Sequence, residues 1–165
     1  ASSDTPGYVY TLKTSGGNFV KTLGPFNGLT ATQNKAGTKL IYSLVEENKT
    51  ITYVKELIGQ AFLRIKPSTL AEKCVWGSRN TEVVVCGVPT NIGLNEPENW
   101  YKGITHFTDR VWKFNTSNEI SEILAEPSKT LGIDMDVINP SLTPNEDYLI
   151  FTNKNDLSLW ALKLE

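Results

Sequence analysis

Apolar and polar residues alternate along most of this chain, in short segments separated by polar turns. Alternation of this kind puts successive side chains on opposite faces, which is typical of half-buried β-strands. One strand type occurs three times, as KLIYS at 39–43, VVVCG at 83–87 and YLIFT at 148–152. Each copy follows a polar turn of the kind that joins antiparallel strands (NKAG, SRNT and PNED). No stretch keeps a helical period for three turns, so the pattern predicts an all-β chain.

Two further strand types follow these copies and complete an internal repeat. The second type is ITYVKEL, RVWKFNT and LSLWALKL, with an earlier relative YVYTLKT. It carries one aromatic residue in each copy: Tyr10, Tyr53, Trp112 and Trp160. The third type is NFVKTLG at 18–24, AFLRIKP at 61–67 and EISEILAE at 119–126. Because repeats bury equivalent positions, we expect the four aromatic residues to pack between sheets.

The spacing of these aromatic residues predicts propeller blades. Tyr10 and Tyr53 are 43 residues apart, and Trp112 and Trp160 are 48 apart. A four-stranded propeller blade repeats every ~40–45 residues. Tyr53 and Trp112 are 59 apart, and the excess falls in the Pro-, Asn- and Gly-rich stretch 89–105. We therefore predict a loop inserted between two strands of one blade.

The strand count predicts an incomplete ring in a single domain. The repeat units are 7–24, 28–67, 72–126 and 137–164, with two, four, four and three strands. This is a partial β-propeller of about three to four blades of four-stranded antiparallel sheet, whereas closed propellers have about four to eight blades. We expect the remaining blades to come from a longer parent chain or from a second copy. A four-bladed ring closed by the N-terminal strands is the alternative.

Composition and charge exclude several classes of protein. The 165 residues are 39% hydrophobic and 21% charged, which is typical of a globular domain rather than a disordered one. The formal net charge is -2, and Lys and Arg are scattered among Asp and Glu. The chain therefore lacks the clustered basic surface of a nucleic-acid-binding protein. No apolar run approaches the roughly 18 residues of a membrane span, so we expect membrane contact only through an anchor outside this chain.

Two turn-and-strand units, NKAGTKLIYSLVEENKTITYVKEL and LTPNEDYLIFTNKNDLSLWALKL, resemble the SPDG-type repeats of TolB-like and WD40-like propellers. Residues 34–37 and 144–147 stand where those families place an acidic-Gly turn. The Gly-His and Trp-Asp signatures of eukaryotic WD40 repeats are absent from the sequence. More narrowly, PENWYKG, HFTDRVWKF and FTNKNDLSLW are similar to segments of uncharacterised, often membrane-anchored bacterial propeller proteins. This resemblance implies the C-terminal half of such a protein in the cell envelope, and it brings no catalytic residues.

The two cysteines flank a predicted hairpin, KCVWGSRNTEVVVC. Its midpoint is residue 80, so Cys74 and Cys86 should lie directly opposite each other, on the face that carries Trp76. Opposed Cβ atoms in a non-hydrogen-bonded pair are close to disulfide distance, but two buried free thiols fit the pattern as well. His106 is the only histidine and no CxxC is present, so we expect no metal site and no cofactor.

The inserted loop holds the candidate binding residues, because long loops on a rigid β scaffold often carry function. Trp100 and Tyr101 suit a protein hot spot or a platform that stacks on a sugar. Alternatively, they fold back and cap a blade. His106 and Asp109 lie three residues apart and could be a general base and its orienting partner, or a structural His and a turn Asp. The sequence identifies no nucleophile for such a pair, so we expect no catalytic site.

A further group of carboxylates, Asp134, Asp136 and the pair Glu146–Asp147, could supply oxygen ligands to Ca²⁺. Their spacing matches neither an EF-hand loop nor an RTX repeat, which favours solvated turn carboxylates.

The function that this sequence favours is a non-enzymatic scaffold for protein or peptide interaction in the bacterial cell envelope. Binding is expected through the loop 89–106. One alternative is binding of carbohydrate or another small ligand by the same loop. Another is an accessory propeller domain of an enzyme whose catalytic part lies outside this chain.

Overall fold

The computed structural model describes residues 1–59 and 61–164, which contain thirteen β-strands and three short helical turns. Residue 60, in the second predicted repeat unit, lies outside the described residues. The strands are β1 Pro6–Thr11, β2 Val20–Asn27, β3 Thr30–Gln33, β4 Lys39–Glu46, β5 Lys49–Glu56, β6 Phe62–Ile65, β7 Cys74–Trp76, β8 Val83–Pro89, β9 Asp109–Asn115, β10 Ser121–Ala125, β11 Val137–Leu142, β12 Tyr148–Asn153 and β13 Leu159–Lys163. The helical turns are a 3₁₀ turn at Ala71–Lys73, α1 Glu98–Tyr101 and α2 Pro127–Thr130. Within the described ranges, no helix is long and apolar enough to cross a membrane.

The strands form four antiparallel sheets that follow one another along the chain. The first sheet is β1–β2, the second β3–β4–β5–β6, the third β7–β8–β9–β10 and the fourth β11–β12–β13. Every pairing joins neighbours in sequence, as in a series of propeller blades. The prediction of an all-β chain is confirmed.

Local turn chemistry sets the register of the hairpins, as the β3–β4 turn shows. The Asn34 carbonyl accepts the N–H of Gly37 at 3.0 Å, and Gly37 has the positive φ of 70° that glycine tolerates best. The Asn34 side-chain oxygen accepts the N–H groups of Thr38 and Lys39 at 2.9 and 3.0 Å. These bonds satisfy backbone donors that the sheet leaves free and fix where β4 begins.

Three apolar cores lie between successive sheets. The core between the second and third sheets contains Ile41, Val54, Trp76 and Phe114, and the core between the third and fourth contains Val85, Val137 and Phe151. The first sheet packs on the second through Leu23, Tyr42 and Leu44. The third and fourth sheets approach each other closely at Gly87, where a Cβ atom would lie 2.6 Å from the Cβ of Val137.

The two cysteines lie opposite each other in the β7–β8 hairpin, in the register that its midpoint predicts. Their Cα atoms are 4.0 Å apart and the two sulfur atoms form a disulfide. Both residues are buried in the core between the second and third sheets. The bond therefore joins β7, an edge strand of the third sheet, to its neighbour β8 inside the protein.

Three members of the aromatic series pack as expected and one does not. Tyr53, Trp112 and Trp160 are half-buried against the cores between sheets. Tyr10, however, is 54% exposed. Val9 beside it contacts the second sheet, so the alternation of the strand turns Tyr10 to the opposite face, which no other sheet of the described chain covers.

Candidate functional site

The predicted insertion is an ordered loop between β8 and β9, covering residues 90–108. It contains α1, and backbone hydrogen bonds close it at several points, including Thr90 N–H to the Thr108 carbonyl at 2.9 Å and Ile104 N–H to the Asn99 carbonyl at 2.9 Å. The buried Glu96 carboxylate accepts the N–H of Trp100 at 3.0 Å and so helps to start the helical turn. The loop thus has a defined conformation from which its outer side chains project.

Trp100 points into the protein rather than out of it. The residue is 4% exposed and packs with Leu70 and Phe107 in a small core of its own. Its indole N–H lies 3.0 Å from each carboxylate oxygen of Asp136. The expectation that Trp100 displays its ring to a ligand is therefore corrected, because the ring folds back and fastens the loop to the sheets.

A buried ion cluster lies directly against Trp100. The ammonium of Lys73 is 2.7 Å from Asp109 Oδ2 and 2.5 Å from Asp136 Oδ1, and all three side chains are fully buried. The same ammonium donates to the Val137 carbonyl at 3.0 Å and lies 4.9 Å from the ring of Trp100. One cation thus holds two carboxylates inside the protein, where each charge depends on its partners.

The cluster connects the third sheet, the loop and the fourth sheet. Lys73 ends the 3₁₀ turn before β7, Asp109 begins β9, and Asp136 immediately precedes β11. Asp136 also accepts the N–H of Phe107 at 3.1 Å, and Asp109 accepts the N–H of Val137 at 2.7 Å. Because no side chain in the cluster is exposed, a substrate has no access to it in this conformation. The cluster therefore has a structural role, which is to hold the two sheets and the loop together.

Burial raises the pKa of Asp109 to about 6, although the adjacent Lys73 ammonium acts to lower it. The second oxygen of this carboxylate, Oδ1, has no hydrogen-bond partner among the described residues. The folded protein therefore binds a proton at Asp109 more tightly than the unfolded chain does.

This pKa predicts a stability that falls between pH 5 and pH 7.5. A raised carboxyl pKa contributes stability that is complete below the usual value of 3.8 and is lost as the pH rises through about 6. We expect the free energy of unfolding to fall by about 1.4 kcal/mol across this window in denaturant titrations. In the Asp109→Asn variant, the difference between the free energies of unfolding at pH 5 and pH 7.5 should be a fraction of the wild-type difference. A wild-type stability that is flat or rises from pH 5 to 7.5 would contradict the prediction.

His106 and Asp109 do not form the pair that their spacing suggested. His106 is exposed, and its Nδ1 lies 3.1 Å from Asn155 Oδ1. Asp109 is buried on Lys73, and no hydrogen bond or ion pair joins it to His106 in the part of the chain that the structure describes. As the first residue of β9, Asp109 faces the fourth sheet, so it is not an accessible binding residue.

Two of the four candidate binding residues, Tyr101 and His106, lie on the outer surface of the loop. Tyr101 is 41% exposed and donates its hydroxyl hydrogen to Glu72, and burial together with this carboxylate raises the pKa of Tyr101. The loop also exposes Leu94 and Ile104, at 65% and 67%, which sequence reasoning did not single out. Isolated apolar residues in a loop carry no periodic signal by which they could be recognised.

The carboxylates considered for Ca²⁺ have separate roles. Asp136 belongs to the Lys73 cluster, and Glu146 accepts the backbone N–H groups of Ser78 and Arg79, which ties the turn of the fourth sheet to that of the third. Among residues 1–59 and 61–164, no group of three or more His, Cys, Asp or Glu could hold a metal ion. Lys73 itself was missed, because it follows Glu72 in sequence like an ordinary surface charge.

The four consecutive antiparallel sheets define a β-propeller fold of the TolB-like kind. Among solved structures, TolB from Acinetobacter baumannii superposes with a TM-score of 0.64 over 95% of this chain, at 14% sequence identity. The chain spans 35% of the length of that protein. No protein-family model matches the chain, and no curated protein matches it. The prediction of a partial, TolB-like propeller is confirmed at the level of the fold.

Proposed function

We propose that this chain is a non-enzymatic β-propeller scaffold that binds protein or peptide through the outer surface of the loop 90–108. One observation carries the proposal: Trp100 anchors the loop from inside while Leu94, Tyr101 and Ile104 are exposed on its outside. A surface that is already ordered loses less conformational entropy when a partner binds. Aromatic and aliphatic anchors on a fixed backbone are the usual centres of protein interfaces.

The carbohydrate alternative has less support. A sugar-stacking platform needs an exposed aromatic face, and Trp100 is 4% exposed. Tyr101 is the aromatic residue that the loop still displays, and its hydroxyl is already bonded to Glu72. A protein partner can use the scattered apolar residues of the loop, whereas a sugar would meet a single half-exposed ring.

The proposal includes a location in the bacterial cell envelope. Its support is the resemblance of residues 97–103, 106–114 and 151–160 to membrane-anchored bacterial propeller proteins. Cell fractionation tests this part separately. Recovery of the native protein in the envelope fraction is expected, and recovery in the cytoplasm would contradict it.

Affinity capture from native envelope extract tests the binding surface. The double variant Tyr101→Ala with Ile104→Ser removes exposed side chains and should leave the fold intact. Leu157→Asn is a matched control, because Leu157 is 75% exposed in a different turn and has the positive φ that Asn tolerates. We expect the wild type and the control to retain one specific partner, and the double variant to retain at least fivefold less. A partner held equally by the double variant, or the absence of any specific partner, would contradict the proposal.

A further inference from the structure

An open groove of about 480 Å³ lies between β2 and the second sheet. One wall is β2, from Lys21 to Phe26, and the floor consists of residues from β4, β5 and β6. The groove exists because the first sheet has two strands and the second has four. β2 packs over β4, whereas the outer strand β6 leaves Phe62 71% exposed.

Four aromatic rings form a continuous row that runs from the wall of this groove across its floor. The ring centroids are 6.2 Å apart for Phe26 and Tyr42, 5.5 Å for Tyr42 and Tyr53, and 6.1 Å for Tyr53 and Phe62. Exposure rises along the row, from Tyr42, which is 7% exposed in the core, to Phe62, which is 71% exposed. A row of this kind gives apolar side chains of a ligand a series of faces on which to stack.

The rim of the groove carries uncompensated positive charge. Lys21 and Lys55 both line it, and neither makes an ion pair with any of the described residues. Lys21 instead lies 5.7 Å over the ring of Tyr8. Glu46 is the one carboxylate among the described residues that line the groove, so the two lysines leave a net positive charge that favours a ligand carrying negative charge.

The wall of the groove is also a free strand edge. β2 pairs with β1 on one side, and in the described part of the chain no strand pairs with its other side. An extended peptide can add to such an edge through backbone hydrogen bonds, and its alternate side chains then face the floor. Pro25 has no N–H and interrupts the edge, which leaves about four residues, Val20–Leu23, for pairing.

We propose that this groove binds an extended, acidic peptide segment of a partner protein, which adds as a strand to β2 and places alternate aromatic side chains on the row from Tyr42 to Phe62. The inference rests on the proposed protein-binding function, but it concerns a surface separate from the loop. Aromatic rows also bind sugars; the free strand edge and the two unpaired lysines favour a peptide here.

Fluorescence anisotropy with a defined probe tests the proposal. The probe is a fluorescein-labelled peptide of about six residues whose alternate, floor-facing positions carry Phe, Phe and Glu, with Thr between them, so that the Glu lies on the same side as Lys55. We expect it to bind saturably and at least tenfold more tightly than the same peptide with Lys in place of Glu. Phe62→Ala and Lys55→Glu should each weaken binding at least tenfold. Phe19→Ala is the matched control, because Phe19 is also 71% exposed but does not line the groove.

Further measurements distinguish strand addition from binding by the loop, binding of a sugar and pairing with a second copy of the chain. Methylation of alternate backbone nitrogens in the probe should weaken binding at least tenfold, and unchanged affinity would overturn strand addition. The loop variant Tyr101→Ala with Ile104→Ser should bind the probe like the wild type, so that loss of loop binding and loss of groove binding are distinguished. The proposal is overturned by an acidic probe that does not saturate, or by binding of neutral oligosaccharides that Phe62→Ala abolishes. A wild-type dimer that becomes monomeric in Phe62→Ala, measured by light scattering, would also overturn it in favour of a second copy.

Discussion

Replacing Lys73 with methionine is expected to lower the free energy of unfolding by about 3–5 kcal/mol at pH 7.5. The substitution keeps the length of the side chain but leaves Asp109 and Asp136 buried without their counterion. A buried charge that loses its partner keeps its full desolvation cost. Urea denaturation followed by tryptophan fluorescence measures the change as a lower midpoint of unfolding.

The pH dependence of this loss distinguishes an electrostatic cause from a packing defect. Lys73 holds down the pKa of Asp109, so in Lys73→Met this carboxyl should take up a proton more readily and the loss should be smaller at pH 5. Lys129→Met is the matched control. Lys129 pairs with Glu126 at 2.8 Å on the surface, where the pair contributes about 0–1 kcal/mol. If Lys73→Met were destabilised no more than this control, the buried ion cluster would not be what holds the sheets and the loop together.

Replacing Trp100 with alanine should cost about 3–5 kcal/mol and should also abolish partner binding by the loop. The stability loss arises because the ring fills the core beside Leu70 and Phe107. Binding is lost because the outer side chains of the loop are positioned by the ring and by its hydrogen bond to Asp136. Thermal unfolding and affinity capture measure the two effects on the same protein.

Neighbouring substitutions separate the two roles of the loop. Tyr101→Ala, one residue along the chain, should change the free energy of unfolding by less than about 1 kcal/mol while it weakens capture of the partner. Trp100→Phe keeps a ring but removes the indole N–H, and an intermediate loss of about 1–3 kcal/mol is expected. If Trp100→Ala were as stable as the wild type, the loop would not depend on this anchor.

Features set by residues close in sequence were predictable. A short apolar run bounded by polar turn residues is typical of a buried strand, so KLIYS and YLIFT locate β4 and β12 without knowledge of the rest of the fold. The cross-strand pairing of Cys74 with Cys86 follows from the midpoint of a single hairpin. The number of strands in each sheet follows from the repeat in the same way.

Features set by contacts between sheets were not predictable from the sequence. Lys73 and Asp136 are 63 residues apart, and nothing local marks either as buried. Whether Trp100 faces solvent or the core depends on the position of Asp136, which lies 36 residues away, just before the fourth sheet. The exposure of Phe62 depends on how far the β1–β2 hairpin extends over the second sheet, and the alternation within β6 does not contain that information.

Trp100 fastens the loop 90–108 from inside, so that the loop presents a fixed outer surface. Hydrogen exchange of the Trp100 indole N–H, followed by nuclear magnetic resonance, tests it most directly. We expect this hydrogen to exchange as slowly as the backbone amides of core strand residues such as Val84 and Val111. Exchange as fast as that of an exposed loop amide would contradict it.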